Sequence, residues 1–563
     1  QTIFDSRGCT SSTCHGQASE TAAGGLDLRA ESAYENLINV AGQSADLVHV
    51  FPGDEELSLL YLKLAAKTED LDLGELGVSG GPMPSTGDAL STDELALLKA
   101  WIRGGAPESG VVAGAADAVR CDASEVDISP NKIPPLPPPS RDEGVQLYSG
   151  AWSLGAESEN EVCFVTYYDF SSEVPDEKKV PCPESHGGAE RECFAYSSIL
   201  IAQDPQSHHA LVETYIPPPE KPEQWDPTDA SWQEWVCVGG EGDGQACDPL
   251  DLGGCGERSA CATRPETSVA CVGYPHGPPE MAGIAGFFGD SSSRKNVAFA
   301  QEPSLREEYP SGVYGVLPIK GYTIWNSHSF NLTTQATSIE QYMNFEFTDP
   351  SNQAYLRQDL IVFDAIFAMG TIPPFESTEV CASYTVERGA RLITLTSHTH
   401  QRGRDFRIWY PPNGSCEAGP ECTPPTDREP DYRSFVYDDP LTQRFGEDDV
   451  LAFDATGEDE RTFLYCAIFD NGEEDPTTVR RHSQRPDTRT CEFTEQAGGL
   501  VTQCGCEPEA RACFGGPEEG MSCGGDDAIC GGGGVCDACP LGGGITTEEE
   551  MFALGGAYYV VPQ

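Results

Sequence analysis

Two histidines separated by one residue stand at the end of a run of small and β-branched residues, TLTSHTHQRGRDF, which spans residues 394–406. On a β-strand, residues i and i+2 point to the same face of the sheet, so His398 and His400 can present both imidazoles to one point. The chain has only ten histidines, and neutral imidazole is a common metal ligand. The pair therefore predicts a metal site, although two histidines on one face can also be an ordinary polar sheet surface.

Two further histidine segments occur earlier in the chain. SHHALVETY, residues 207–215, contains the adjacent His208 and His209, and NSHSFNL, residues 326–332, contains His328. Consecutive strand residues point to opposite faces, so His208 and His209 can bind one metal only at a β-bulge or through different ring nitrogens. The alternative is that one ring is buried and the other exposed. His328 by itself predicts nothing.

A second kind of chemistry is indicated by CTSSTCH near the start of the chain, which contains Cys9, Cys14 and His15. This C-x4-C-H spacing is a widened version of C-x2-C-H, in which two thiols bond covalently to a haem and the adjacent histidine binds its iron. The wider spacing makes the motif less specific. The alternative interpretation is a disulfide beside an exposed histidine.

Composition limits the class of protein. The 563 residues include 34 Lys plus Arg against 91 Asp plus Glu, a net charge of −57, which disfavours nucleic acids and anionic membranes as partners. No run approaches the about 20 apolar residues of a membrane-spanning helix. The 23 cysteines predict disulfides and an oxidising compartment, and hence a periplasmic or extracellular protein.

The elements that position these residues are expected in several domains. Residues 1–118 have helical signals, such as a serine cap and an acidic first turn in STDELALLKAWIRGGA. Residues 119–145 include SPNKIPPLPPPSRDEG, which predicts a stiff, extended linker. From residue 146 onward, short β-branched and aromatic runs predict antiparallel β-sandwiches or barrels. Cys-rich insertions at 237–280 and 491–540 are predicted to be disulfide-stapled loops rather than metal-thiolate clusters.

The segments GLDLRAESAYENLI, VFPGDEELSLLYLKL and GGPMPSTGDALSTDELALLKAWIRGGA, together with CTSSTCH, resemble the small single-haem cytochrome c domains appended to secreted bacterial proteins. The resemblance covers about residues 1–108. It implies an all-α domain with one covalent haem c, bound through the two cysteines and the histidine of CTSSTCH. It also implies Met83, followed by a proline, as the second axial ligand of the iron, and a thioether there raises the reduction potential. His49 is the competing ligand.

Together with the chain end TTEEEMFALGGAYYVVP, the three histidine segments resemble the copper type II, ascorbate-dependent monooxygenases, the family of peptidylglycine α-hydroxylating monooxygenase and dopamine β-monooxygenase. The resemblance spans roughly residues 146–563. It implies two jelly-roll-like β-sandwich domains, residues 146–345 and 346–563, each of which supplies one copper site. The implied ligands of the first copper are His208, His209 and His328, and those of the catalytic copper are His398, His400 and Met551.

The implied ligand sets suit copper chemistry. Three imidazoles suit a copper that changes oxidation state, whereas a thioether favours Cu(I) and leaves a position open for dioxygen. Zinc is the main alternative metal, but it has no redox chemistry. The implied activity is hydroxylation of an activated C–H bond with dioxygen, with electrons from ascorbate, from the attached haem or from a redox partner protein. The rival hypotheses are a non-catalytic extracellular electron-transfer or copper-binding surface protein and, less specifically, a haem sensor or adhesin.

Two positions depart from the family pattern. Peptidylglycine-type enzymes hold the substrate carboxylate with an arginine and a tyrosine, at the positions that are Thr396 and Gly555 here. A peptide C-terminal carboxylate is therefore not the expected substrate, and the substrate stays open. Arg402 and Arg404 are candidates for binding an anionic substrate. Ala210 replaces a methionine of the animal enzymes. If two cysteines bind haem, an odd number remains, which allows an intermolecular disulfide and self-assembly.

Overall fold

The structure is a computed structural model of the chain. It describes residues 4, 9–11, 14–16, 22–30, 32–42, 47–69, 71–74, 76, 78, 80–85, 89–107, 130–281, 293–300, 303–362, 370–419, 421–435, 437, 440–446, 450–484, 505–544, 546 and 548–562.

The amino-terminal region contains the helices α1 (Ala33–Leu37), α2 (Leu59–Thr68) and α3 (Thr92–Arg103), which share one hydrophobic core. The start of α3 follows the sequence signal. The Ser91 hydroxyl accepts a hydrogen bond from the Glu94 amide at 3.2 Å, and the Glu94 carboxylate accepts one from the Ser91 amide at 2.8 Å, which forms a capping box. None of the described helices is long and apolar enough to span a membrane.

Two seven-stranded sheets follow, and they enclose one hydrophobic core. We call this unit the first sandwich. Its strands are β1 (Gly144–Leu154), β2 (Ser158–Asp169), β3 (Lys179–Pro181), β4 (Glu192–Gln203), β5 (Ser207–Tyr215), β6 (Trp235–Val238), β7 (Ala260–Thr263), β8 (Glu266–Thr267), β9 (Arg294–Ala300), β10 (Ser304–Glu308), β11 (Val313–Pro318), β12 (Lys320–Asn331), β13 (Thr337–Phe347) and β14 (Tyr355–Leu356). One sheet has the order β1-β13-β4-β11-β14, with β10 and β3 also paired to β4, and the other β6-β7-β2-β12-β5-β9, with β8 paired to β2. The pairs are antiparallel except β11 with β14.

The described residues from 358 onward form a second unit, which we call the second sandwich. Its strands are β15 (Gln358–Val362), β16 (Thr371–Ile372), β17 (Ser377–Thr385), β18 (Ala390–His398), β19 (Gly403–Trp409), β20 (Tyr432–Ser434), β21 (Gln443–Arg444), β22 (Ala452–Phe453), β23 (Thr462–Asp470), β24 (Ala512–Phe514), β25 (Val535–Ala538), β26 (Leu541–Gly542) and β27 (Ala553–Val560). The sheets β15-β27-β18-β21, with β22 on β18, and β17-β23-β19-β20 share a second core. A short helix, α4 (Asp527–Cys530), lies in the second Cys-rich insertion. The predicted β-rich fold of antiparallel sheets is confirmed.

Nine disulfides join described residues, and five of them staple the two Cys-rich insertions. The five are Cys237–Cys255, Cys247–Cys261, Cys506–Cys539, Cys513–Cys530 and Cys523–Cys536. The other four are Cys163–Cys271, Cys182–Cys193, Cys381–Cys466 and Cys416–Cys422. Cys121, Cys491 and Cys504 lie outside the described residues. The predicted disulfides are confirmed, and they fit an oxidising compartment.

The described part of the proline-rich segment lies against the first sandwich. The Lys132 ammonium forms an ion pair with the buried Asp204 carboxylate and donates a hydrogen bond to the Ser338 carbonyl at 2.7 Å. Ile133 is buried, and the Asn344 side chain donates a hydrogen bond to the Pro137 carbonyl at 3.0 Å. The described part of this segment is therefore anchored to the first sandwich instead of acting as a detached spacer.

Candidate metal centre

The first histidine group is assembled by the pairing of β5 with β12. His328 lies directly opposite His209, and the next pair along the ladder is Ser329 with Ser207, so His208 is an extra residue at a bulge. A bulge changes the direction of the local side chains, and the ligand atoms of all three histidines lie within 4.8 Å of one another. The bulge that joint binding requires is therefore present. All three rings are buried, so the alternative with one exposed ring is wrong.

The protonation state of this group suits metal binding. Burial lowers the pKa of His208 to about 3 and that of His209 well below its usual value, and repulsion from the neighbouring imidazoles adds to both shifts. The rings of His208 and His209 are therefore neutral at pH 7, so a metal does not have to displace protons from these two.

Two buried ring nitrogens of this group, Nδ1 of His209 and Nδ1 of His328, have no hydrogen-bond partner among the described residues. A buried polar atom in a native protein normally has a partner. The other nitrogen of His328, Nε2, contacts a carboxylate oxygen of Glu159 at 2.7 Å. A carboxylate on the far nitrogen fixes the tautomer and orientation of a metal-bound histidine, so Nδ1 is the atom of His328 that fits a metal.

The second group lies where β18 ends. The rings of His398 and His400 have centroids 5.3 Å apart and planes at 88°. Nδ1 of His400 contacts the Glu549 carbonyl at 3.1 Å, and the ring also has a hydrogen bond with the backbone of Thr546. Burial lowers the pKa of His400 to about 4 and that of His398 well below its usual value. Both rings are therefore neutral at pH 7.

Met551 lies just before β27, the strand that pairs with the histidine-bearing strand β18. In the pairing of β18 with β27, His398 is opposite Ala553. His400 lies two residues after His398 and Met551 two residues before Ala553, so both lie just beyond the paired ends of the two strands. Met551 is also buried. The backbone therefore brings all three predicted residues of the second site to one end of β18 and β27.

The residue before Met551 holds this segment to the histidine pair. The two carboxyl oxygens of Glu550 accept hydrogen bonds from the backbone amides of His400, at 2.9 Å, and Arg402, at 2.7 Å. Glu550 is fully buried. A single side chain thus ties the loop after His398 to the segment that carries the thioether.

A cavity of about 80 Å³ adjoins His398 at the boundary between the two sandwiches. Thr396 and Gly555, which replace the carboxylate-binding residues of peptidylglycine-type enzymes, face one another in the β18–β27 register and line this cavity. Arg402 is not among the residues that line this cavity. It is 2% exposed and its guanidinium donates to the carbonyls of Thr478 and Glu548 at 2.9 and 3.3 Å, so it is committed to the fold rather than to an anionic ligand.

The haem-binding candidates lie in the amino-terminal region. The amide of His15 donates a hydrogen bond to the Cys9 carbonyl at 3.0 Å, and Nδ1 of His15 contacts the Leu26 carbonyl at 3.0 Å. That contact leaves Nε2 of His15 as the nitrogen that fits an iron. Cys9 and Met83 pack against the margin of one hydrophobic cluster. Burial and repulsion from His15 lower the pKa of His49, so the competing ligand also lies near His15. The haem-binding candidates therefore lie in the same small region. Met83 and His49 both stay predictions as the second axial ligand.

The sequence interpretation missed Glu159, Glu550 and Phe299, whose ring packs against both His209 and His398. Glu550 is next to Met551 in TTEEEM, but a run of three glutamates looks like a solvated surface. A scan against protein-family models and a search of curated proteins find no match for this chain. The resemblance to the copper monooxygenases therefore depends on the motifs alone.

Proposed function

We propose that this chain is a secreted copper-dependent monooxygenase that hydroxylates an activated C–H bond with dioxygen. The observation that carries the proposal is the convergence of the three histidine segments and the Met551 segment at the boundary between the two sandwiches. The orphaned nitrogens of His209 and His328 support metal binding there. The expected location is the periplasm or the exterior of a bacterial cell.

The two sites differ in their ligands, and this difference favours redox chemistry over simple metal retention. His208, His209 and His328 would hold one copper, and His398, His400 and Met551 the other. Bound copper would supply the one-electron steps and the activation of dioxygen. A structural site needs a closed set of donors, whereas a thioether beside two imidazoles is suited to Cu(I).

The protein's own residues have separate tasks in this proposal. Glu159 orients His328 through Nε2, and Glu550 fixes the backbone around His400. The cavity lined by Thr396 and Gly555 would bind the substrate next to His398. Threonine and glycine carry no charge, so these two positions supply no partner for a carboxylate. The charged side chains of the cavity wall are those of Arg306, Glu307, Arg357 and Arg444.

The proposed haem c, bound by Cys9, Cys14 and His15, would supply electrons in place of ascorbate or together with it. The ion pair between Glu56 of the amino-terminal region and Arg444 of the second sandwich, at 2.6 Å, supports this role because Arg444 also lines the cavity. A Cys14→Ala variant should lose covalent haem in an intact-mass measurement and lose turnover with a protein donor. Full turnover without haem would contradict the electron route but not the copper chemistry.

The first experiment is elemental analysis of the native protein for copper, zinc and iron, with an intact mass to detect haem. The expected result is about two coppers and one iron per chain, as the two ligand sets and one haem motif require. Screening C–H substrates for incorporation of ¹⁸O from ¹⁸O₂ then tests the activity. His398→Ala should abolish incorporation, and His276→Gln, at a histidine that pairs with Glu266, should not. Zinc in place of copper would refute the proposal.

Two observations favour the non-catalytic alternative, an extracellular electron-transfer or copper-binding protein. All five candidate histidines are buried, and the cavity beside His398 is small, so substrate access is restricted. This alternative predicts reversible oxidation and reduction of bound copper without dioxygen-dependent hydroxylation of any substrate.

A further inference from the structure

The cavity beside His398 has two ends, which the strand registers place apart. Asn296 lies in the cavity wall, and its side chain donates a hydrogen bond to the Asp359 carboxylate at 3.2 Å. His398 pairs with Ala553 of β27, whereas Asp359 pairs with Ala557 of the same strand. Because four residues of a strand span about 13 Å, Asn296 and His398 lie toward opposite ends of the cavity.

Apolar side chains line the space between these ends. Both sandwiches contribute them, and they include Leu211, Phe299, Leu305, Ile361 and Leu554. The cavity volume of about 80 Å³ is about half that of an apolar cavity of 150 Å³ that holds benzene. A volume this small, extended over about 13 Å, is narrow. The cavity therefore fits an unbranched chain better than a ring.

The charged side chains of the cavity wall are paired with opposite charges. The Arg357 guanidinium contacts the carboxylates of Glu307 at 3.3 Å and Asp359 at 2.5 Å. Arg306 contacts two further carboxylates at 2.7 and 3.1 Å, and Arg444 contacts a carboxylate of the amino-terminal region at 2.6 Å. An anionic ligand would compete with these carboxylates, and a cationic ligand would meet three arginines. Because a charge brought into a buried site without its own partner is costly, the cavity favours a neutral ligand.

One polar atom of the wall, Oδ1 of Asn296, is buried and has no hydrogen-bond partner among the described residues. The orientation of this amide is fixed, because its Nδ2 donates to the Asp359 carboxylate, and a carboxylate can only accept. A buried acceptor in a native protein normally has a partner, and only a hydrogen-bond donor can pair with Oδ1. The end of the cavity remote from His398 therefore presents an acceptor to a ligand.

We propose that Oδ1 of Asn296 binds a neutral O–H or N–H group at one end of the substrate, and that Asp359 positions the Asn296 amide for this contact. The rest of the substrate is a narrow, mainly apolar chain, and its opposite end lies beside His398. This proposal rests on the proposed function, which places the reaction at His398. It adds the substrate class, an unbranched neutral molecule with a hydrogen-bond donor at the end that does not react.

The test is isothermal titration calorimetry of the full-length protein, after removal of exchangeable metal, with n-octanol, methyl heptyl ether, octanoate and octylammonium as probes. The ether matches n-octanol in length but cannot donate a hydrogen bond. Because one neutral hydrogen bond changes an affinity by about 2- to 10-fold, n-octanol should bind more tightly than the ether by that factor. The two ions should bind no more tightly than the ether. Absence of n-octanol binding, equal affinity for n-octanol and the ether, or tighter binding of either ion would overturn the proposal.

Variants locate the bound probe. Asn296→Leu removes the acceptor and should lower the affinity for n-octanol to that for the ether, whereas Asn352→Ala, at an exposed residue outside the cavity wall, should change neither affinity. Gly555→Val adds a side chain whose Cβ lies 3.2 Å from Thr396 in the wall, and should weaken the binding of every probe. An unchanged preference for n-octanol in folded Asn296→Leu would contradict the role of Asn296.

The substrate class and the proposed function fail in different ways. A preference for n-octanol that Asn296→Leu abolishes, in a protein that binds no copper, would support the ligand class of the cavity and contradict the proposed function. Copper binding and incorporation of ¹⁸O without that preference would overturn the substrate class and leave the proposed function intact.

Discussion

Removal of the Glu550 side chain should loosen one loop of the candidate site, the loop that carries His400 and Arg402. In Glu550→Ala, the amides of His400 and Arg402 lose the carboxyl oxygens that accept their hydrogen bonds at 2.9 and 2.7 Å. Each buried N–H left without an acceptor costs about 1–3 kcal/mol, or about 2–6 kcal/mol for the two. Because the lost contacts join the loop after His398 to the segment that carries Met551, this free energy should appear as easier opening of that loop.

Amide hydrogen exchange followed by mass spectrometry measures that opening directly. A cost of at least about 2 kcal/mol corresponds to exchange about 30-fold faster, and we expect this acceleration in peptides that contain His400 and Arg402. Peptides from β2 in the first sandwich should exchange as in the unaltered protein. Local exchange is the appropriate measurement because it reports the opening of this loop separately from the unfolding of the rest of the chain.

Two variants of the same segment serve as controls. Glu548→Ala removes a neighbouring carboxylate whose nearest approach to the Arg402 guanidinium is 3.6 Å, so it should change the exchange of the His400 amide by no more than a few-fold. Glu550→Gln keeps one acceptor oxygen and should have an intermediate effect. Unchanged exchange at His400 and Arg402 in folded Glu550→Ala would refute the assignment of Glu550 as the residue that positions this loop.

Three further predictions concern the ion pair of a buried carboxylate, a buried disulfide and the buried ring of His400. Lys132→Ala leaves the buried Asp204 carboxylate without its ion pair, and should destabilise the first sandwich by about 3–5 kcal/mol, measured by thermal unfolding. Cys381→Ala/Cys466→Ala opens a disulfide that closes 85 residues, and should cost about 4–5 kcal/mol by the loop-entropy relation. Acidification should destabilise the metal-free protein, because the pKa of His400 is about 4 in the folded state and 6.5 in the unfolded state. As the pH falls, the unfolded chain therefore takes up the proton first. Up to about 3 kcal/mol of the unfolding free energy found above pH 6.5 should be lost by about pH 4, which denaturant titration measures.

Each of these predictions has a matched control. Lys179→Ala removes an ion pair with the exposed Asp176 and should cost less than about 1 kcal/mol. Cys416→Ala/Cys422→Ala opens a disulfide that closes only 6 residues and should cost about 2 kcal/mol. His400→Gln should reduce the loss of stability on acidification, and an unchanged dependence on pH would show that the His400 ring is not the group that titrates.

The sequence alone predicted the features that depend on local chemistry. The alternation of β-branched and aromatic residues with Gly, Pro, Asn and Asp indicated antiparallel sheets, because that pattern follows the period of a strand and its turns. The density of cysteines in segments without large aliphatic residues indicated disulfides, because such segments cannot bury a core of their own. The same-face rule placed His398 and His400 together, and the need for a bulge at His208 and His209 followed from the same geometry.

The tertiary structure decided which distant residues meet. The β5–β12 register places His328 opposite His209, Glu159 reaches His328 from the neighbouring strand β2, and the boundary between the sandwiches brings His209 against His398. None of these contacts has a local signal, because each depends on the register of strands that are far apart in the chain and on the packing of one core against another. For the same reason the run of glutamates before Met551 resembled a solvated surface, whereas burial made Glu550 the acceptor for two backbone amides.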